Sequence, residues 1–348
     1  MTATGGTTSA LGTVPPDIHR EIRLVARPGA RLRPGDFETV RVPLRRPVAG
    51  EVLVRNVLLR IGAATRTLMT GADVLPMSPF EPGRALRGTA LGEVVTAPGT
   101  VLRPGELVRH DHGWQEYAVL PVDAVRRVDA GLWPDPAACL SQGFAGWLAV
   151  TPGSVVRPGD TVLVTGAAGG VGVIAGQFAR LHGARRLIGT TGSHWKADLL
   201  RRELGFDAVL VRGDGPIAEQ VRVSAPDGVN VLVDTVGGEQ FEAGLAAARR
   251  GARCVVVGAV GRQAAGGTRA EATVDTLALL SRGISVIGLS TTDHQASAAR
   301  WEKEFGAALR AGTVRFPHVR LSGLDRAPGA LTDLLAGRYL GTVLVEPT

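Results

Sequence analysis

The sequence predicts an α/β protein in which a doubly wound parallel sheet is joined to a β-rich unit. Three observations carry this reading. From about Ala137 onward, short β-branched runs alternate with helical stretches. Residues from about Ile22 to Leu120 instead read as short strands cut by Pro-Gly turns. Near the start of the alternating part, Asp160–Gly183 reads D-T-V-L-V-T-G-A-A-G-G-V-G-V-I-A-G-Q-F-A-R-L-H-G: a strand, a glycine turn and a helix in succession.

In the first part, strands are expected over Glu51–Leu59, Leu91–Val95, Glu106–His110 and Glu116–Leu120. They are separated at Arg27-Pro-Gly, Arg33-Pro-Gly, Pro98-Gly and Arg103-Pro-Gly. In the second part, strands are expected over Thr161–Thr165, Arg186–Gly189, Ala208–Val211, Val229–Asp234, Arg253–Val257 and Ile284–Leu289. Helices are expected over Ala197–Leu204, Gln240–Arg250 and Ala298–Ala311. Such alternation implies parallel strands linked by crossover helices. The tail from Val314 returns to strand and turn, with Gly341–Val345 as a last strand for the first unit.

The glycine turn is where chemistry enters. Gly166, Gly169, Gly170 and Gly172 lie between the apolar run Thr161–Val164 and a helical stripe of Val171, Ile174, Ala175 and Phe178, which Gly183 is placed to stop. Backbone N–H groups of such a turn meet a pyrophosphate with no Cβ in the way, so Gly166, Ala168, Gly169, Gly170, Val171 and Gly172 are expected to bind a dinucleotide. Glycines kept for packing alone are the competing reading of any single motif of this kind.

At 348 residues the chain suits two domains, and its 45% hydrophobic and 20% charged content is that of a globular protein. Two cysteines, Cys139 and Cys254, are too few for a disulfide framework or a Cys-based zinc knot. Met1–Pro16 lacks a basic start and an apolar centre, so a flexible arm is expected there, not a signal peptide. No apolar stretch reaches membrane-spanning length, and a cytoplasmic protein is expected. The net charge of +7 comes from scattered arginines without a dense basic run, which argues against nucleic acid as a partner. The only lysines are Lys196 and Lys303; abundant Arg, Gly, Ala and Pro point to a high-GC genome.

The segments Gly50-Glu-Val-Leu-Val-Arg, His112-Gly-Trp-Gln-Glu-Tyr-Ala-Val, Val156-Arg-Pro-Gly-Asp, Ala167-Ala-Gly-Gly-Val-Gly, Gly192-Ser-His-Trp-Lys, Leu204-Gly-Phe-Asp and Val233-Asp-Thr-Val-Gly-Gly together resemble the medium-chain dehydrogenase/reductase superfamily, most of all its prostaglandin and curcumin reductase branch. The likeness runs from about Ile22 to the end. It implies a GroES-like β-rich substrate domain (20–144 and 311–348) and a Rossmann NADPH-binding domain (145–310), behind an arm over 1–19. It further implies a homodimer and NADPH-dependent reduction of a C=C bond conjugated to a carbonyl, without metal. Val236 and Gly258 are assigned to the cofactor on the same resemblance.

Zinc-dependent relatives carry a Cys in the first domain and a Gly-His-Glu turn. Here Ile61-Gly-Ala-Ala lacks the Cys, and Pro82-Gly-Arg-Ala stands in place of the turn. His110 and His112 share a strand face but have no third ligand in view, so surface histidines near a turn are expected. The second strand of the alternating part ends in Thr190-Thr191-Gly192-Ser193, with neutral Thr191 where an NAD-specific fold places an acid. Lys196 matches the phosphate-binding Lys of the family and Arg212 lies where that family often has a Tyr, so NADPH is expected. Solvated surface charges are the competing reading of both.

The chain departs from the family where the substrate would sit. The Asp-Pro-Tyr-Met-Arg segment is here Ile61-Gly-Ala-Ala-Thr-Arg66, with only the Arg kept; Ser-x-Tyr-Asn is replaced by Gly261-Arg-Gln, and Asn-x-Gly-Lys becomes Tyr339-Leu-Gly-Thr342. Reduction of an enone leaves an enolate that needs a donor. The candidates are Tyr339, or a polar pair of Asp293 and His294, for which helix capping is the competing role. The missing donors also suit a C=N bond, because an iminium needs only a carboxylate such as Asp293 and an apolar wall such as Trp114 or Trp147. Quinone reduction and a non-catalytic NADPH-binding role complete the alternatives, and bacterial secondary metabolism is the expected setting.

Overall fold

A computed structural model describes residues 14–151 and 155–348. Most of the expected arm, residues 1–13, lies outside the described residues; its last two positions, Ile18 and His19, already belong to a strand. In chain order the β-rich half contributes β1 (Ile18–Leu24), β2 (Phe37–Pro43), β3 (Glu51–Ile61), helix α1 (Ala64–Leu68), β4 (Ala90–Thr96), β5 (Leu107–His110), β6 (Tyr117–Pro121), β7 (Arg126–Arg127) and α2 (Gly143–Leu148). The alternating half follows with β8 (Thr161–Val164), α3 (Gly172–Leu181), β9 (Arg186–Thr191), α4 (His194–Leu204), β10 (Ala208–Val211), α5 (Ile217–Ser224), β11 (Val229–Asp234), α6 (Gly238–Ala246), β12 (Ala248–Val256), α7 (Val260–Ala264), α8 (Thr276–Arg282), β13 (Ser285–Gly288) and α9 (Ala298–Arg310). The chain closes with β14 (His318–Ser322), α10 (Ala327–Leu335) and β15 (Thr342–Glu346).

β8 to β13 form one parallel sheet in the order β10-β9-β8-β11-β12-β13. The first and fourth strands are neighbours, so crossovers leave in opposite directions and a crevice opens beyond Val164 and Asp234, where dinucleotides bind in folds of this order. β8 is buried on both faces, as expected of a Val/Leu run in the middle of a parallel sheet.

The second sheet runs β14-β15-β3-β4-β5-β7, with β6 also paired to β3. β3 is nearly continuously buried because β4 flanks one side while β6 and β15 share the other. The return of β15 to β3 brings the C-terminal strand beside the cofactor half. An aromatic group of Phe144, Trp147, Phe178, Trp301 and Phe305 locks α2, α3 and α9 together, with Trp301 and Phe305 stacked at 4.4 Å. Each such ring, once buried, contributes roughly 1.5–3 kcal/mol.

Two expectations change. β1 and β2, an antiparallel pair from Ile18↔Pro43 to Leu24↔Phe37, were not expected because His19, Arg20, Glu21 and Arg23 mask the alternation. The helix expected over Gln240–Arg250 ends at Ala246; Arg249 and Arg250 lie in β12, exposed, where sheet pairing outweighs the helix propensity of arginine.

Candidate cofactor and active site

The glycine turn is pinned from both neighbouring strands. Gly166 N–H donates to Thr190 Oγ1 at 2.9 Å, and Ala167 N–H to the Thr190 carbonyl at 2.9 Å. On the other side Thr165 Oγ1 donates to Asp234 Oδ1 at 2.6 Å, and Thr235 Oγ1 donates to the Thr165 carbonyl at 2.8 Å. Burial pushes the Asp234 carboxyl up, opposed by the Thr165 hydroxyl and the backbone N–H groups of Val236 and Gly237. Val236 and Gly258 thereby sit at the rim, Val236 against Gly166 and Gly258 on the Asp234 carbonyl.

The glycines do different work. A Cβ on Gly172 would stand 2.5 Å from the Gly166 carbonyl oxygen and 2.7 Å from Ala167 Cα, so no side chain fits without moving the turn. A Cβ on exposed Gly169 would meet only the Gly166 carbonyl oxygen, at 3.4 Å, leaving its outer side free for a ligand. Gly170 is covered by Gln142 and Thr342.

At the end of β9 the hydroxyls Thr191 Oγ1 and Ser193 Oγ are buried, with no hydrogen-bond partner among the described residues. Beside them Lys196, in the first turn of α4, is only 4% exposed and donates to the Gly337 carbonyl. Burial, and then the charge of Arg212, push its ammonium pKa down. Arg212 is exposed, with its guanidinium Nη2 3.3 Å from where a Cβ on Gly192 would lie. Among the described residues neither cation is in an ion pair with a carboxylate. Two adjacent cations and two orphan hydroxyls fit a phosphate on the adenosine ribose.

The candidate catalytic residues lie on two different segments of the chain. Tyr339 is half-buried between α10 and β15, its hydroxyl donating to Asp333 Oδ2 at 3.2 Å. Asp293 and His294 lie exposed in a 3₁₀ turn after β13, with no hydrogen bond between them among the described residues. The helix-capping role is not theirs either, since Ser297 holds the N-cap position of α9. Trp114 and Trp147 are fully buried, the first stacked on Phe37 and the second inside the aromatic group, so neither is a pocket wall. His110 is not a surface histidine: burial lowers its pKa to about 4, and its Nδ1 accepts from His112 N–H. Two cavities of about 240 and 210 Å³ lie elsewhere, and neither is lined by residues of the glycine turn.

Residues 170–308 match the family model of zinc-binding dehydrogenases, and residues 20–128 match that of the N-terminal domain of oxidoreductases. A Bacillus subtilis protein described as an NADP-dependent oxidoreductase, YfmJ, is 30% identical over 94% of this chain and 97% of its own length. The chain belongs to the medium-chain dehydrogenase/reductase family. Within it, the chain stands in the zinc-independent branch. The NADPH-dependent curcumin reductase of Escherichia coli is 27% identical over 93% of this chain and 95% of its own length. The crystal structure of CurA from Vibrio vulnificus in complex with NADPH superposes with a TM-score of 0.87, at 25% identity, over 94% of this chain and 99% of that one.

As a medium-chain oxidoreductase the chain does not offer the zinc site named in the first family model. The Ile61–Ala64 turn has no Cys, and among the described residues no group of three or more His, Cys, Asp or Glu could hold a metal ion. No helix among the described residues is long and apolar enough to cross a membrane. Gln142 and Thr342, which cover Gly170, escape any sequence argument, because their neighbours lie far away along the chain.

Proposed function

We propose that this reductase uses NADPH to saturate a C=C bond conjugated to a carbonyl, without a metal. The observation that carries the cofactor reading is the adjacent cations Lys196 and Arg212, neither of them ion-paired to a carboxylate among the described residues, beside the hydroxyls of Thr191 and Ser193. The relatives described as curcumin reductase and 2-alkenal reductase support the reaction class. Bound NADPH would supply a hydride. The chain's part is to hold the diphosphate on the backbone of Gly169–Val171, to fix the ribose phosphate through Lys196, and to keep the reacting face between the two sheets. In this reading 145–310 binds the cofactor, and 20–144 with 311–348 receives the substrate. Of the residues offered for iminium reduction, Trp114 and Trp147 are fully buried and give the exposed Asp293 no open apolar wall to work against, which favours the enone reading.

A cytoplasmic homodimer acting in a bacterial secondary pathway completes the proposal. β13 is an exposed edge strand with Val286 and Ile287 uncovered, and Leu277 and Leu280 of α8 beside it are 70% and 79% exposed. Pairing of two such edges would cover these side chains. The reaction class is tested by following NADPH absorbance with an enone, a quinone and a cyclic imine. Consumption with the enone supports the proposal, and consumption only with the imine or quinone overturns it.

A further inference from the structure

Gln142 lies in the turn that enters α2, half-buried between the two halves of the molecule. A Cβ on Gly62, just past the end of β3, would stand 3.4 Å from Gln142 Nε2. A Cβ on Gly170 would stand 2.6 Å from Gln142 Oε1 and 2.9 Å from Thr342 Oγ1. The amide therefore spans from the substrate half to the glycine turn, with its donor facing the former. Among the described residues no group hydrogen-bonds to this side chain, and the neighbouring Thr342 Oγ1 is buried without a partner.

The turn that presents Gln142 is held firmly. Ser141 Oγ accepts from Gly143 N–H at 3.0 Å, and Arg60 Nη1 donates to the Leu140 carbonyl at 3.3 Å. Arg60 Nη2 donates to Thr89 Oγ1 at 3.0 Å, and that hydroxyl donates to Asp111 Oδ1 at 2.8 Å. A ligand seated against Gln142 Nε2 would take that amide out of solvent, and leaving a buried donor unmatched costs about 1–3 kcal/mol. The ligand must offer an acceptor there.

We propose that Gln142 Nε2–H donates to the carbonyl oxygen of the bound substrate and stabilises the enolate oxygen formed from it. This rests on the enone reading above. Hydride from NADPH forms the new C–H bond at the β-carbon, and the π electrons move onto the oxygen that Gln142 holds. Water then supplies the proton that forms the α C–H bond, and the cofactor leaves as NADP⁺. A neutral amide stabilises charge in this scheme without giving up a proton.

The test compares the native chain with Gln142→Met and Gln142→Leu on a short aliphatic enone. NADPH and 2′,5′-ADP binding are followed by fluorescence, which also shows that each variant is folded. Turnover is expected to fall about 10²–10³-fold, with affinity for both nucleotides within about threefold of native. An active native enzyme whose folded Gln142 variants keep turnover within threefold overturns this role and leaves the enone reading standing. A native enzyme inert toward enones yet active on imines or quinones overturns the reading, and this role with it.

Discussion

The buried ammonium of Lys196 donates to the carbonyl of Gly337, while Gly341 N–H donates to the Ala168 carbonyl at 2.8 Å. The five residues from Gly337 to Gly341, which carry Tyr339, are thus tied at both ends to the elements proposed to bind phosphate. Cofactor half and C-terminal return are one connected structure at this seam.

Replacing Lys196 should separate the two nicotinamide cofactors. A charge-assisted bond to a phosphate contributes about 1.5–3 kcal/mol. Lys196→Ala should raise the KM for NADPH by about tenfold or more and leave that for NADH nearly unchanged. Because burial and Arg212 hold the Lys196 pKa below the ordinary lysine value, the ammonium of the free enzyme is lost at a lower pH than usual. NADPH affinity should therefore weaken as pH rises on the alkaline side, and NADH affinity should not follow. Equal losses with both cofactors in Lys196→Ala would place the phosphate elsewhere.

The glycine turn predicts two different failures. Gly169→Val places its side chain in open space, so thermal stability should stay near native while NADPH titration shows binding abolished. Gly172→Val collides with the backbone of Gly166 and Ala167, and should lower the melting temperature as well. Normal NADPH binding by Gly169→Val would remove the turn from the site.

How much of this was legible differs by residue. Gly169 and Gly172 announce themselves because a backbone that must approach a ligand or another backbone closely tolerates little else. Lys196 was readable through the scarcity of lysine and its place after Gly192-Ser-His-Trp. Tyr339 was readable as a rare phenol, but its bond to Asp333 depends on how α10 ends. Gln142 was invisible: its meaning comes from Gly62 and Gly170, which only the closure of β15 on β3 and the packing of α2 on α3 bring near it.

Tyr339→Phe should be close to silent. The hydroxyl already donates to Asp333, and its pKa is raised by burial and by that carboxylate, so it is a poor proton source at neutral pH. Asp293→Asn, on an exposed turn, should be equally mild. A loss of turnover beyond about tenfold in either variant, with NADPH affinity intact, would return that residue to the chemistry.

Acid should destabilise the chain through its histidines. His19, His110, His112 and His182 all have pKa values lowered chiefly by burial, His110 to about 4. An unfolded chain takes up these protons below about pH 6.5, whereas the folded chain resists until far lower for His110. Stability is therefore complete above that pH and declines toward pH 4, with His110 alone accounting for at most about 3 kcal/mol. Urea titrations across this window should show the decline, and His110→Gln should flatten it. An unchanged slope in His110→Gln would show that His110 is not held neutral.

Metal-free hydride transfer to the β-carbon is read by following the hydride itself. NADPH deuterated at the nicotinamide C4 is turned over with an aliphatic enone by protein stripped of metal with a chelator, and the product is read by NMR. The expected product is a saturated ketone with deuterium on the β-carbon and hydrogen from water on the α-carbon. Deuterium on the carbonyl carbon of an allylic alcohol, or turnover that requires added zinc, would contradict it.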